Sequence, residues 1–185
     1  MNTPEIRFPE FYEEWQSTKL GKYFERLTQV STIQDQHPVL TSARNGLIRQ
    51  DKYFEESRLG KRPNIGFNVI PPEYTTYRNR SDNRRFYFNT NTLGYTGIIS
   101  RFYPVFKTNG LDSKFLEEAF EVHKHYLGTR AVGTSQTVLS YNELSKAKIP
   151  FPSLLEQKKI AAFLSVIDEK LNAIQEALSL SLIHI

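Results

Sequence analysis

The sequence predicts a mixed α+β fold: one globular body with a β-rich core and flanking helices, followed by a long C-terminal helix of coiled-coil type. Three observations carry that expectation. Short runs rich in β-branched and aromatic residues, punctuated by Pro, Gly and Asn, fill residues 65–106. Amphipathic segments with helical spacing flank that region on both sides. From Ser153 to Ile185 there is neither proline nor glycine, and apolar residues recur at Ile160, Leu164, Ile167, Leu171, Ile174 and Leu178, in steps of four and three. The corresponding boundaries are a body over 1–150 and a helix over 151–185.

The elements follow in order. Pro9 to Trp15 is a lead-in anchored by Phe8, Phe11, Tyr12 and Trp15. Leu20, Tyr23, Phe24 and Leu27 step as a short amphipathic helix. Val39-Leu40-Thr41 reads as a strand, and Ser42-Ala43-Arg44-Asn45-Gly46 as a turn signalled by Asn-Gly. Asp51 to Leu59 is a polar helix or loop, followed by a basic connector to Pro63. Strands are expected over Ile65–Ile70, Tyr74–Tyr77, Phe86–Phe88, Gly97–Ser100 and Phe102–Phe106. A helix capped by Ser113 then places Phe115, Leu116, Ala119, Phe120, His123 and Leu127 on one face and ends at Gly128. Gly133 to Leu139 is a small polar turn entering a strand, and Ser140-x-x-Glu143 opens one helical turn. Pro150 and Pro152 make a stiff approach to the long helix, which Ser153 and Glu156 start as a capping box. A helix of about 25–30 residues is roughly 40 Å long. Such an apolar seam needs a cover, either its own domain or a second long helix. The tail Ser179 to Ile185 breaks the seam at Ser181, so it either ends the helix or follows it.

Composition excludes several functions. The chain has 185 residues, no cysteine, and so no disulfide, thiolate metal site or cysteine nucleophile. No apolar run is long enough to span a bilayer, and the acidic N-terminus does not read as a leader, so a cytoplasmic protein is expected. His123 and His125 are two apart and would face different ways on a helix. No nucleotide-binding glycine loop, hydrolase elbow or zinc-helix motif is present. Pro71-Pro72-Glu73-Tyr74 falls short of an adenine methyltransferase loop, because Ile70 stands where a polar residue is needed. A catalytic or cofactor role is therefore not expected.

Binding chemistry is better represented. The formal net charge is +4, and the excess lies in residues 31–110, which hold twelve Lys and Arg against six Asp and Glu. The candidate DNA-contacting residues sit in turns: Ser42, Arg44 and Asn45; Arg58, Lys61 and Arg62; Arg78, Asn79, Arg80, Asn83, Arg84 and Arg85; and Thr134, Ser135 and Gln136. Arg reads guanine and Asn or Gln reads adenine in two hydrogen bonds each, while Lys, Ser, Thr and backbone N–H groups hold phosphates. An ordinary solvated turn is the competing explanation for each cluster. A helical scaffold protein with an incidental basic surface is the competing function.

The run Ile149-Pro150-Phe151-Pro152, then Glu156-Gln157, Ile160-Ala161, Leu164 and Ile167-Asp168, closely resembles the signature that closes each recognition domain in the DNA specificity subunits of Type I restriction–modification enzymes. Arg7-Phe8-Pro9 with Trp15 and Lys19-Leu20-Gly21, Gly97-Ile98-Ile99-Ser100, and Gly133-Thr134-Ser135-Gln136 resemble further features of that family. The resemblance implies a non-catalytic subunit that binds double-stranded DNA and directs adenine methylation and restriction. It implies long helices that act as spacers and dock the methyltransferase subunits. S-adenosylmethionine would belong to those subunits, and ATP and Mg to a restriction/translocase subunit. A full specificity subunit carries two recognition domains and two long helices. This chain, with one of each, is expected to be an N-terminal half, completed by a second recognition domain or a second copy.

Overall fold

The computed structural model describes residues 4–43, 46–53 and 63–183, the last three of these by backbone alone. A four-stranded antiparallel sheet forms the centre. Its strands are β2 (Phe24–Leu27), β10 (Val105–Thr108), β6 (Thr75–Tyr77) and β8 (Phe88–Thr90), side by side in that order. Side chains of a strand alternate between faces, and β10 shows the result. Phe106 enters one buried cluster with Phe24, Tyr77, Phe88 and Phe120, whereas Val105 enters a second with Leu40, Leu47, Ile70 and Ile99. The sheet is thus covered on both faces.

Helices cover the aromatic face: α2 (Ser113–Val122), α3 (Lys124–Thr129) and α4 (Tyr141–Lys146). Ring centroids lie 3.9 Å apart for Phe88–Phe120 and 4.4 Å apart for Phe24–Phe106. Two strand pairs cover the other face. They are β3 (Leu40–Ala43) with β4 (Gly46–Arg49), and β5 (Asn68–Ile70) with β9 (Gly97–Ile99). The short α1 (Gln50–Tyr53) follows β4. β7 (Arg80–Ser81) pairs with β11 (Thr137–Val138), and β1 (Gln16–Lys19) with β12 (Lys148–Phe151).

The last element, α5, runs from Leu154 to Ile183, which at 1.5 Å per residue is about 45 Å. Its base is fastened to the body. The carboxylate of Glu156, 1% exposed, accepts from Arg7 Nε at 2.6 Å and Nη2 at 2.7 Å, and from the Trp15 indole at 3.3 Å. Gln157 accepts from the Asp112 N–H and donates to the Pro152 carbonyl, both at 3.0 Å. Beyond this base the helix leaves the body, and residues 166–180 are exposed throughout.

Several expectations are corrected. Residues 20–27 are a 3-10 turn (Leu20–Lys22) followed by β2, because pairing with β10 overrides a spacing that suits either structure. β1, with its polar sequence, is held by a partner strand 129–135 residues away and carries no local signal. Asp112, not Ser113, caps α2, its carboxylate accepting from the Phe115 N–H at 2.9 Å. The expected single helix is interrupted at His123 and continues as α3. The capping box is half formed: Ser153 Oγ meets the Glu156 N–H at 3.4 Å, while the Glu156 carboxylate turns to Arg7 and Trp15. The tail is helical through Ser181 to Ile183. The long helix packs on its own domain as far as Asp168, through Ala161, Phe163 against Phe8, and Asp168 against Lys114, and does not fold back on it beyond.

Candidate nucleic-acid interface

The arginine-rich segment 78–85 is built into the body, not appended to it. The backbone of Asn79 donates to Phe102 and accepts from Leu139, both at 2.9 Å, and β7 is zipped to β11. That pairing, between strands more than fifty residues apart in sequence, brings Arg78–Arg85 beside Gly133–Gln136. The turn after β7 closes on the Ser81 hydroxyl, which accepts from the N–H groups of Asn83 at 3.3 Å and Arg85 at 3.0 Å. The Asn83 amide oxygen also closes the turn, accepting from the Ser81 hydroxyl at 2.9 Å and the Arg85 N–H at 3.1 Å, and Asp82, Asn83 and Arg85 are all exposed.

Arg84 has a different task. It occupies left-handed backbone, with φ 60°, and its guanidinium donates at 3.2 Å to the carbonyls of Gly128, Ala131 and Gly133. These bonds offset the strain of that conformation and hold the arginine turn against the chain leading to Thr134. Gly128 permits the approach: a Cβ there would lie 2.8 Å from the Arg84 carbonyl oxygen. Gly133, at φ 120°, starts a turn that exposes Thr134, Ser135 and Gln136.

Arg78, Arg80 and Arg85 line one cleft of about 540 Å³, with Asp82 as the one acidic side chain among the described residues that line it. The opposite wall is β3, where Ser42 Oγ accepts from Asn89 Nδ2 at 2.6 Å. Arg80 Cζ lies 3.9 Å from the centroid of the Phe102 ring, a cation–π contact that restrains the guanidinium. Tyr87 and Tyr103 add two aromatic walls. Burial pushes the Tyr103 hydroxyl above its ordinary value, opposed by the nearby Arg78 charge and a hydrogen bond with Thr41. It therefore stays neutral and can donate. The cleft combines positive charge, planar donors and aromatic faces, the chemistry of a nucleic-acid backbone and its bases.

Arg44, Asn45, Arg58, Lys61 and Arg62 lie outside the described residues. The aromatic wall of Phe102, Tyr103 and Tyr87 escaped the sequence reading, because those residues also look like strand cores. Among the described residues no cluster of His, Asp or Glu could hold a metal ion, and no helix is long and apolar enough to cross a membrane.

A second surface lies on α5. Ile160 and Leu164 are half-buried at its base, whereas Ile167, Leu171, Ile174 and Leu178 are 38–59% exposed. Exposed apolar residues at heptad spacing form a stripe that a solvated helix does not need.

A family model for the Type I restriction modification DNA specificity domain matches residues 76–182. The fold is similar to that of the S subunit of a Type I restriction-modification system from M. genitalium, with a TM-score of 0.61 and 16% identity over 94% of this chain and 44% of that one. An HsdS subunit from Thermoanaerobacter tengcongensis gives 0.51 and 20%, over 95% of this chain and 42% of that one. A chain from a structure described as the basis of complex assembly and conformational transition of the type I R-M system gives 0.54 and 20%, over 94% and 42%. This chain spans less than half the length of each of them.

Proposed function

The chain belongs to the family of Type I restriction modification DNA specificity domains, and from that membership we propose that it is the DNA-reading part of a restriction–modification complex in the cytoplasm. The body, residues 1–150, grips one part of a split duplex sequence. The helix, residues 151–185, pairs through Ile160, Leu164, Ile167, Leu171, Ile174 and Leu178 with a second long helix. That helix comes from another recognition domain or another copy. The same arm docks methyltransferase subunits, which supply S-adenosylmethionine, and a restriction/translocase subunit with ATP and Mg joins through the complex. This chain contributes recognition and no catalysis.

The observation that carries the reading is the cleft where Arg78, Arg80 and Arg85 face one Asp82, on the body from which an apolar arm projects. Arginines there neutralise phosphates and release counterions, so binding falls with salt. The exposed hydroxyls and amide of Thr134, Ser135 and Gln136, beside the cleft, suit phosphate oxygens and a base edge. The test is a gel shift with the chain assembled with its methyltransferase subunits, paired with a map of adenine methylation in cells with and without the gene. A salt-sensitive preference for one split sequence, matching sites that lose methylation, is expected. Equal affinity for all duplexes refutes the proposal. A helix-deleted chain that retains weak DNA binding separates it from a scaffold, which would retain none.

A further inference from the structure

Resting on that reading of the body, we infer that Arg49, oriented by Asp51, is a guanine-reading arginine of the same DNA interface, set in a cleft that adjoins the arginine-rich turn. Arg49 ends β4 and Asp51 lies in the first turn of α1. Arg49 Nε donates to Asp51 Oδ1 at 3.0 Å, and Nη2 pairs with Oδ2. A guanidinium carries five N–H donors in a planar fork. Asp51 occupies one edge of that fork and leaves Nη1 and the outer N–H of Nη2 pointing away from the carboxylate. Two parallel donors are what guanine O6 and N7 accept in the major groove. Both side chains are about half exposed, 43% and 48%, so the outer edge meets solvent. An arginine neutralised by its own carboxylate attracts phosphate weakly but keeps its direction. The pair is therefore suited to reading, whereas Arg78, Arg80 and Arg85 are suited to gripping.

The surroundings agree. The cleft holds about 620 Å³ and places His37 and Gln50, each able to donate and accept, beside Arg49. It shares Thr41 and Tyr103 with the Arg78–Arg85 cleft, so gripping and reading groups adjoin. Its far wall, residues 31–38, is braced from inside. Asn64, 3% exposed, accepts from the Asp35 N–H at 2.8 Å and donates to Asp35 Oδ1 at 2.6 Å. The Ser31 hydroxyl donates to the Asn64 carbonyl at 2.6 Å. At the other end the Ile98 N–H holds the Pro38 carbonyl at 3.0 Å, and Gly97 gives Leu40 room that a Cβ, 2.4 Å from Leu40 Cδ1, would fill. A loop fixed at both ends presents its edge with little ordering cost. The Asp35 carboxylate, engaged by Asn64 and Gln34, is the other acid among the described residues of the cleft, which limits the cleft's pull on phosphate further.

The experiment selects bound DNA from a random-sequence duplex pool, using the chain assembled with its methyltransferase subunits. The parent enriches a motif that contains a G·C pair. Arg49→Ala loses preference at that one position, roughly tenfold, and keeps the remaining positions. Arg49→Lys does not restore it, because an ammonium lacks the fork. Asp51→Asn relaxes the same position while tightening binding to unrelated DNA. Arg85→Ala, by contrast, weakens all sequences alike and lowers the salt slope by about one. If Arg49→Ala leaves the motif unchanged, or weakens every sequence equally, the inference is overturned while the Arg85→Ala result keeps the wider reading standing. A parent complex that enriches no motif overturns both.

Discussion

Gln157 offers a sharp test of how the arm is fixed to the body. Its side chain is almost fully buried and makes two hydrogen bonds of 3.0 Å. One takes up the N–H of Asp112, the cap of α2, and the other the carbonyl of Pro152 just before α5. Gln157→Ala leaves both backbone groups without a partner, at about 1–3 kcal/mol each. Asp112 is only half-buried, so water recovers part of the loss, and about 3 kcal/mol is expected in total. For a chain of this size each kcal/mol lowers the midpoint by about 2–4 °C. Thermal melting followed by circular dichroism should therefore drop by roughly 6–12 °C. Gln157→Glu loses the donor and buries a carboxylate against the Pro152 carbonyl, and at neutral pH should melt at least as low as Gln157→Ala. Lys158→Ala, at the exposed neighbour, should stay within about 0.5 kcal/mol of the parent. A Gln157→Ala melt no lower than that of Lys158→Ala refutes the reasoning.

Gly128→Ala drives a methyl to within 2.8 Å of the Arg84 carbonyl. It should cost about 1–3 kcal/mol by urea unfolding and weaken duplex binding in a gel shift as the arginine turn shifts. Leu171→Ser with Ile174→Ser changes positions that are exposed in the single chain, so the melting temperature should hold at concentrations where the chain is monomeric. Co-purification with methyltransferase subunits and self-association by light scattering should both be lost. Glu117 carries a pH signature: burial lifts its carboxyl above the ordinary 4.5, opposed by hydrogen bonds with Thr90 and by Lys114. The unfolded chain then releases this proton first as pH rises, so stability falls from the ordinary carboxylate range up through the raised folded value. Glu117→Gln keeps an acceptor for the Thr90 N–H and should flatten that decline in urea melts taken across pH.

What the sequence determined by itself was whatever short-range rules govern. The long helix is written in spacing and in the absence of helix breakers. The central strands are written in β-branched and aromatic runs between turns, and the family in the Pro150–Asp168 signature, which the family model bears out over 76–182. The tertiary structure decided what depends on distant partners. Leu20–Leu27 satisfies helical spacing locally, yet β10 claims it as a strand, because cross-strand hydrogen bonds and the Phe106 cluster outweigh a weak local preference. Glu156 looked like half of a capping box until Arg7, 149 positions away, took its carboxylate. Four arginines between Arg78 and Arg85 were equal in the sequence. Only the fold separates Arg84, whose donors brace three carbonyls, from Arg78, Arg80 and Arg85, which face an open cleft. The same pairing of β7 with β11 sets Thr134–Gln136 beside them, a proximity that no local pattern encodes, because it is made by strands more than fifty residues apart.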